Sequence, residues 1–293
     1  MKKIDFYKLQ ASGNDFVLID ARKKGMKLSG PGYKKFAQES CSRKYGIGAD
    51  GLLVIEESKK YDFTMRIFNV DGSEAEMCGN GARCVGLWAA LAGSAKKKKA
   101  GTLTVEWNSF ETVAGPIQVQ VSQKKKNTAR VRVQLSDVVG VKLDMPLDVA
   151  GRKIHVNYIN TGVPHTVVFV DGIDDVAVEK IGREIRFHKE FSPYGTNVDF
   201  VEEESSTRIK IRTYERGVES ETEACGTGVV AGAIVFNRKQ KGGDNDRIQQ
   251  VEVSVKNGEK LRVFFRKKKQ IIYDVWFEGN AYLVYQGEYP LHR

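Results

Sequence analysis

Short alternations of apolar and polar residues run through most of the chain. A period of two with turn residues at each end predicts β-strands at 6–9, 16–20, 52–56, 64–68, 103–107, 117–121 and 130–135. After about residue 140 the pattern returns at 165–170, 197–202, 209–214, 251–255, 261–265 and 272–277. Helical spacing is rarer. Phe36, Ala37, Ser40 and Cys41 share one face of a helix predicted over 33–45 and closed by Gly46, and another helix is predicted between 176 and 188. The largely apolar stretches 82–92 and 229–236 read as buried helices. Strands preponderate without regular alternation, so the expected class is α+β.

Looking for self-similarity exposes a repeat. In the first half, Ile67-Phe68-Asn69-Val70-Asp71-Gly72 leads through an acidic segment to Cys78-Gly79-Asn80-Gly81 and then to an apolar stretch. In the second half, Arg212-Thr213-Tyr214-Glu215-Arg216-Gly217 leads through Glu221-Thr222-Glu223-Ala224 to Cys225-Gly226-Thr227-Gly228 and another apolar stretch. Each copy reads as strand, acidic turn, Cys-Gly-x-Gly, buried helix. With 293 residues, two domains of ordinary size are expected, divided near 137–148 where Gly140 and Pro146 interrupt the periodicity.

One Cys-Gly-x-Gly is explained by a tight turn into a closely packed helix. Packing alone does not require the same reactive side chain at both helix mouths. A helix N-terminus leaves backbone N–H groups unpaired and carries partial positive charge, which favours a thiolate or a bound carboxylate. Glycine lets an anion approach the backbone. A thiol whose ordinary pKa is about 8.5 becomes a usable base at neutral pH in such a setting. Stereoinversion at an α-carbon needs a base on one face and an acid on the other, a task that suits two cysteines titrating as a coupled pair. The backbones of Gly79, Asn80, Gly226 and Thr227 are then candidates to grip the α-carboxylate and stabilise charge building on it. Cys41 and Cys84 fall on expected helix faces and read as packing residues.

Composition narrows the alternatives. The net charge of +10 has much of its excess in Lys96–Lys99, Lys124–Lys126 and Lys267–Lys269, read as solvated loops without interleaved aromatic residues, so nucleic acid is not an expected partner. No apolar run approaches the roughly 20 residues of a membrane helix. Residues 1–9 lack the apolar core of an export signal, and four cysteines are too few for a disulfide framework, so a cytoplasmic location with free thiols is expected. The four histidines, His155, His165, His188 and His292, and the scattered cysteines have no zinc-ligand spacing, so no metal is expected.

The motifs together resemble the diaminopimelate epimerase family of cofactor-independent two-thiol racemases, nearly end to end. They are Ser12-Gly13-Asn14-Asp15-Phe16, Phe68-Asn69-Val70-Asp71-Gly72-Ser73, Cys78-Gly79-Asn80-Gly81-Ala82-Arg83-Cys84, Thr161-Gly162-Val163-Pro164-His165, Gly195-Thr196-Asn197, Tyr214-Glu215-Arg216-Gly217 and Ala224-Cys225-Gly226-Thr227-Gly228. The resemblance implies two pseudo-symmetric lobes, each a curved, mostly antiparallel sheet wrapped around a central helix, with the active site in the cleft between them. It implies a first lobe of 1–138 completed by about 281–293, and a second lobe of 139–280. It implies that Cys78 and Cys225 exchange acid and base roles, that Asn69, Asn197 and Arg216, with Glu215 nearby and Asn14 lining the pocket, hold the distal end of diaminopimelate, and that His165 and Glu215 tune the thiols. An Arg clamps a carboxylate with two parallel hydrogen bonds, and Asn supplies both donors and acceptors. It implies no cofactor, a place in lysine and peptidoglycan precursor synthesis, and a homodimer. The sequence departs from some members at Val163 and Gly51, for which Asn160 is a candidate compensator, and 107–110 reads as an insertion. Two rival readings stand beside this one: a related racemase acting on a histidine- or proline-like amino acid, and a non-catalytic binding protein or redox sensor built on a reversible Cys78–Cys225 disulfide. Asn80, and the charged pair Glu215-Arg216, argue against the proline-type relatives.

Overall fold

The computed structural model describes residues 3–23, 28, 30–100, 103–240, 246–269 and 271–291; His292 and the end of the expected 281–293 segment lie outside them. Among the described residues, four α-helices stand among many strands: α1 (Gly30–Ser40), α2 (Gly79–Leu91), α3 (Val178–Arg186) and α4 (Gly226–Lys239). The α+β class is as expected. The chain divides into two compact units, residues 1–133 with 279–293 and residues 134–278.

In the first unit, Lys3–Ala11 reverses through Ser12 and Gly13, both left-handed at φ 53° and 82°, into the antiparallel strand Asn14–Asp20. A two-residue turn of this hand matches the twist of the strands it joins. After α1, strand Gly51–Glu56 runs parallel to Asn14–Asp20, with Phe16 opposite Gly51. Phe63–Asn69 returns antiparallel to it, Glu74–Ala75 pairs beside that, and α2 follows. Leu103–Thr112, Gly115–Ser122 and Thr128–Gln134 complete an antiparallel set.

The second unit repeats this order. Arg152–Asn160 pairs antiparallel with Pro164–Phe169, α3 intervenes, and Asn197–Ser205 lies parallel to Pro164–Phe169 with His165 opposite Asn197. Arg208–Glu215 returns antiparallel, Ser220–Thr222 pairs beside it, and α4 follows. The duplication seen in two motifs thus extends to the pairing scheme of each unit. The final strand, Ile271–Pro290, pairs through Ile271–Glu278 with Lys260–Lys268 and through later residues with Thr128–Gln134 and Lys3–Ala11.

Helices α2 and α4 are buried almost all round, as their continuous apolar sequences require: every residue from Asn80 to Ala90 and from Gly228 to Phe236 is buried. Val229, Val230, Ala233 and Ile234 pack with Val201, Ile211, Val253 and Phe277 in the second unit's core. In contrast, α1 buries one stripe, Tyr33, Phe36, Ala37 and Ser40. It ends five residues short of the predicted Tyr45. Beyond Ser40 the chain folds back on the helix end, with Gly48 N–H on Ser40 O and Ala49 N–H on Cys41 O, and a Cβ on Gly46 would stand 2.2 Å from Glu39 O.

Two other expectations are corrected. Lys96–Lys99, read as a solvated loop, belongs to the strand Lys96–Ala100, which pairs with 103–107, and Lys267, read the same way, is only 3% exposed within Lys260–Lys268. Residues 107–110 lie inside the strand Leu103–Thr112, where Phe110 stacks on Phe63 at 5.1 Å. Pro146, read as an interruption, sits within Lys142–Val149, which pairs on one side with Arg152–Asn160; an edge strand is where a residue without an N–H is tolerated.

Candidate active site

Each cysteine of the repeat occupies the N-cap of its helix. Cys78 (φ −142°, ψ 121°) precedes α2 and its Sγ accepts the Gly81 N–H at 3.5 Å; Cys225 (φ −103°, ψ 112°) precedes α4. The first intrahelical bonds run from Ala82 N–H to Cys78 O and from Val229 N–H to Cys225 O. The amides of the Gly-x-Gly segments therefore lie ahead of the helical ladder, where an anion finds donors. Packing crowds the second glycine of each motif, severely only at Gly228. A Cβ on Gly81 would meet Leu53 Cδ2 at 3.1 Å, and one on Gly228 would meet Asp199 Oδ1 at 2.4 Å.

In the second unit the expected site residues converge. His165 is fully buried; its Nδ1 lies 2.7 Å from Asp199 Oδ2 and its Nε2 3.0 Å from Thr227 Oγ1. Thr227 Oγ1 in turn lies 3.4 Å from Cys225 Sγ, and Asp199 Oδ1 accepts the Thr213 hydroxyl at 2.7 Å. Burial, with Glu215 and Asp199 nearby, pushes the Cys225 thiol well up. Burial also raises the Glu215 carboxyl. Asn197 is buried and spends its amide on backbone, donating to Pro164 O at 3.0 Å and accepting Arg216 N–H at 2.8 Å. It thereby fixes the loop from which Arg216 reaches Tyr194 O with Nη1 at 3.2 Å. Arg216, Asn160 and Pro164 line a cavity of about 370 Å³ together with Lys142, Glu190 and Tyr194.

In the first unit, Asn80 is buried and its Oδ1 accepts from Arg83 Nη2 at 2.6 Å; the same nitrogen reaches Ser12 Oγ at 2.7 Å, and Nη1 reaches Asn280 O at 3.1 Å. Arg83 is fully buried inside an apolar helix. Asn69 is exposed and bonds Ser73 Oγ at 2.9 Å, while the Asn14 Oδ1 is buried without a hydrogen-bond partner. Its neighbour Asp15 is gripped by Lys8 and Arg43. Cys41 and Cys84 are buried, and burial raises the first to about 11 and the second further still. None of the four cysteines is in a disulfide.

Sequence reasoning missed Asp199, Thr213 and the role of the Thr227 hydroxyl. A lone acid in the apolar run Val198-Asp199-Phe200-Val201, on the same strand face as Asn197, was the available signal. Arg83 carried a comparable one. Among the described residues no helix is long and apolar enough to cross a membrane, and no cluster of three or more His, Cys, Asp or Glu side chains is placed to hold a metal ion.

The duplicated α+β unit defines a fold class that solved structures share. The Bacillus anthracis phenazine biosynthesis protein of the PhzF family superposes with a TM-score of 0.73 over 99% of this chain and all of that one, at 16% identity. A hydroxyproline epimerase from Agrobacterium vitis gives 0.64 over 98% and 92%, at 12% identity. The chain belongs to the diaminopimelate epimerase family: that family's model matches residues 6–140 and 157–281, and a diaminopimelate epimerase of Aquifex aeolicus is 42% identical over 97% of both chains. Membership makes the protein an isomerase.

Proposed function

We propose that the protein interconverts LL- and meso-diaminopimelate by proton transfer at the α-carbon, with Cys78 and Cys225 as acid and base and without a cofactor. The observation that carries this reading is the pair of cysteines, neither in a disulfide, at topologically equivalent N-caps, each ahead of amides outside the helical ladder. One thiolate removes the α-proton while the other thiol supplies a proton to the opposite face; the roles exchange with the bound stereoisomer. The amides of Gly79, Asn80, Gly226 and Thr227 hold the carboxylate as charge moves onto it, where fixed donors act most strongly.

For the far end of the substrate, Arg216 is the carboxylate clamp and Asn14, Asn69, Asn197 and Glu215 complete the pocket, with Asn197 acting through the loop it ties down. The cavity beside Arg216 supports this, because it offers Lys142 and Arg216 for a carboxylate and Glu190 for an ammonium group. The protein works in the cytoplasm as a homodimer, supplying lysine and peptidoglycan precursors. The test is incubation of reduced protein with LL-diaminopimelate, following the meso form, with Cys78→Ala and Cys225→Ala as controls. Formation of the meso compound by the wild type alone is expected; its absence refutes the substrate assignment.

A further inference from the structure

Helix α3 clasps the hairpin that carries Arg216. Gly182, midway along α3, lets the helix lie flush on the strand Arg208–Glu215, since a Cβ there would stand 2.6 Å from Tyr214 Cβ. From this position both ends of the helix reach the hairpin that joins Arg208–Glu215 to Ser220–Thr222. Glu179 in the first turn accepts the Glu221 N–H at 2.9 Å, and Arg186, the last residue, meets Glu219 Oε1 with Nε at 3.2 Å and Nη2 at 3.0 Å. The same Glu219 oxygen accepts the Gly217 N–H at 3.0 Å, one residue after Arg216, and the Glu219 N–H donates to Glu215 O at 2.8 Å, one residue before it. Glu219 has a left-handed φ of 58°, a conformation that costs a non-glycine residue free energy and persists where its surroundings fix it. Arg186 is fixed as well. Its guanidinium carbon lies 4.5 Å from the centre of the Phe187 ring, and Gly195 packs so closely that a Cβ there would strike Nη1. Gly195 follows Tyr194, whose carbonyl accepts Arg216 Nη1 at 3.2 Å. The segments that hold the Arg216 backbone and side chain thus rest on one guanidinium–carboxylate pair.

We propose that the Arg186–Glu219 pair sets the position of Arg216 and thereby the affinity for the far carboxylate of the substrate. This rests on the reading of Arg216 as the carboxylate clamp. Arg and a carboxylate recognise each other through two parallel hydrogen bonds, so a clamp has to present its fork at a fixed place and angle. Arg216 sits on a turn whose next two residues, Gly217 and Val218, are exposed, and the turn alone does not supply that precision. A long side chain free to change rotamer loses that freedom when it binds, and the loss weakens affinity. Here Asn197 holds the amide of Arg216, Glu219 holds the amide after it, and Tyr194 O receives the guanidinium, so the fork is ordered before a carboxylate arrives. The Arg186 and Glu219 side chains are 13% and 31% exposed, which leaves their attraction less screened than that of a surface pair. Both are positioning residues: among the described residues, neither lines the cavity beside Arg216.

The test measures KM and kcat for diaminopimelate, with Kd by calorimetry where turnover is too slow, in the wild type, Glu219→Gly, Glu219→Gln, Arg216→Met and the double variant Glu219→Gly/Arg216→Met. Glycine adopts the left-handed turn without strain, so Glu219→Gly removes the carboxylate and spares the backbone. It is expected to raise KM about tenfold with kcat within about threefold, as loss of binding common to ground and transition states does. Glu219→Gln, whose amide oxygen still accepts from Gly217 and Arg186, is expected to bring KM back to within about threefold of wild type. In the Arg216→Met background, Glu219→Gly is expected to raise KM no further, because both act through one guanidinium. An unmoved KM in Glu219→Gly beside a raised KM in Arg216→Met overturns the inference and leaves the clamp reading standing. An unmoved KM in Arg216→Met, or no turnover by the wild type, refutes that reading and the inference with it. A fall in kcat alone in Glu219→Gly, the mark of a smaller folded fraction, or KM effects of the two variants that multiply, overturns the positioning role. Should Glu219→Gly fail to fold, Arg186→Lys, which keeps the charge and gives up the fork, takes its place with the same expected and contrary results.

Discussion

Replacing Gly228 with alanine tests the close approach of α4 to the sheet. The added Cβ would lie 2.4 Å from Asp199 Oδ1 and 3.2 Å from both Asp199 Cγ and Thr213 Oγ1. Asp199 is fully buried, and its two oxygens are committed to Thr213 and His165 at 2.7 Å each. It cannot swing away without breaking one of these bonds, which costs about 1–3 kcal/mol for a buried group left unmatched. Overpacking adds about 1–3 kcal/mol, and the better helix propensity of alanine returns at most about 1 kcal/mol. A net loss of about 1–6 kcal/mol follows. The internal control is Gly81→Ala, whose Cβ meets the end of an apolar side chain, Leu53 Cδ2, at 3.1 Å and is expected to cost about 1 kcal/mol or less. Urea unfolding of both variants followed by tryptophan fluorescence measures the difference. Equal urea midpoints for the two variants would refute the argument.

Glu215→Gln removes a negative neighbour of Cys225 and is expected to move the pH profile of its alkylation by iodoacetamide to lower pH, whereas His165→Ala removes the imidazole that holds the Thr227 hydroxyl against the Cys225 sulfur and is expected to move it higher; unchanged profiles in both reject any tuning role. Arg83→Met strips three hydrogen bonds from buried acceptors and should lower the urea midpoint by the equivalent of about 2–4 kcal/mol, with a variant as stable as wild type as the contrary result. Burial alone would raise the Asp15 carboxyl, but hydrogen bonds from Arg43 and Lys8 outweigh it and hold it at about 2. A folded-state value below the unfolded one contributes stability above the unfolded pKa of about 3.9 that disappears as pH falls through about 2. The stability difference between wild type and Asp15→Asn should therefore shrink from about 1–2 kcal/mol near neutrality to nothing in strong acid, and a pH-independent difference would contradict the assignment.

What could be read from residue order follows the physics of periodicity. Strands with one buried face announced themselves, and so did both buried helices, because an unbroken apolar stretch after an acidic turn has few other uses. The repeat was visible only from the strand before each cysteine to the helix after it. Its extension through the whole pairing scheme was not, since Phe16 and His165, or Leu53 and Asp199, share a register without sharing a chemistry. Elements of low contrast were missed as well. Lys96–Ala100 has four lysines, and Lys142–Val149 contains Pro146, so neither resembles a half-buried strand, and the pairing partner supplies what the local pattern lacks. The cysteines and glycines of the candidate site were legible because their types are rare and their spacing repeats. Asp199 and Thr213 were not, because one acid and one hydroxyl on two strands acquire meaning only when Thr213 and His165 are brought to the same carboxylate.

The central claim is that two thiols exchange a solvent-derived proton at one α-carbon without a cofactor. Its most direct test is incubation of the reduced protein with LL-diaminopimelate in D₂O. Meso product carrying deuterium at the inverted carbon is predicted for the wild type, and none for Cys78→Ala or Cys225→Ala. Inversion that retains the original hydrogen, or inversion that survives the loss of either cysteine, would contradict it.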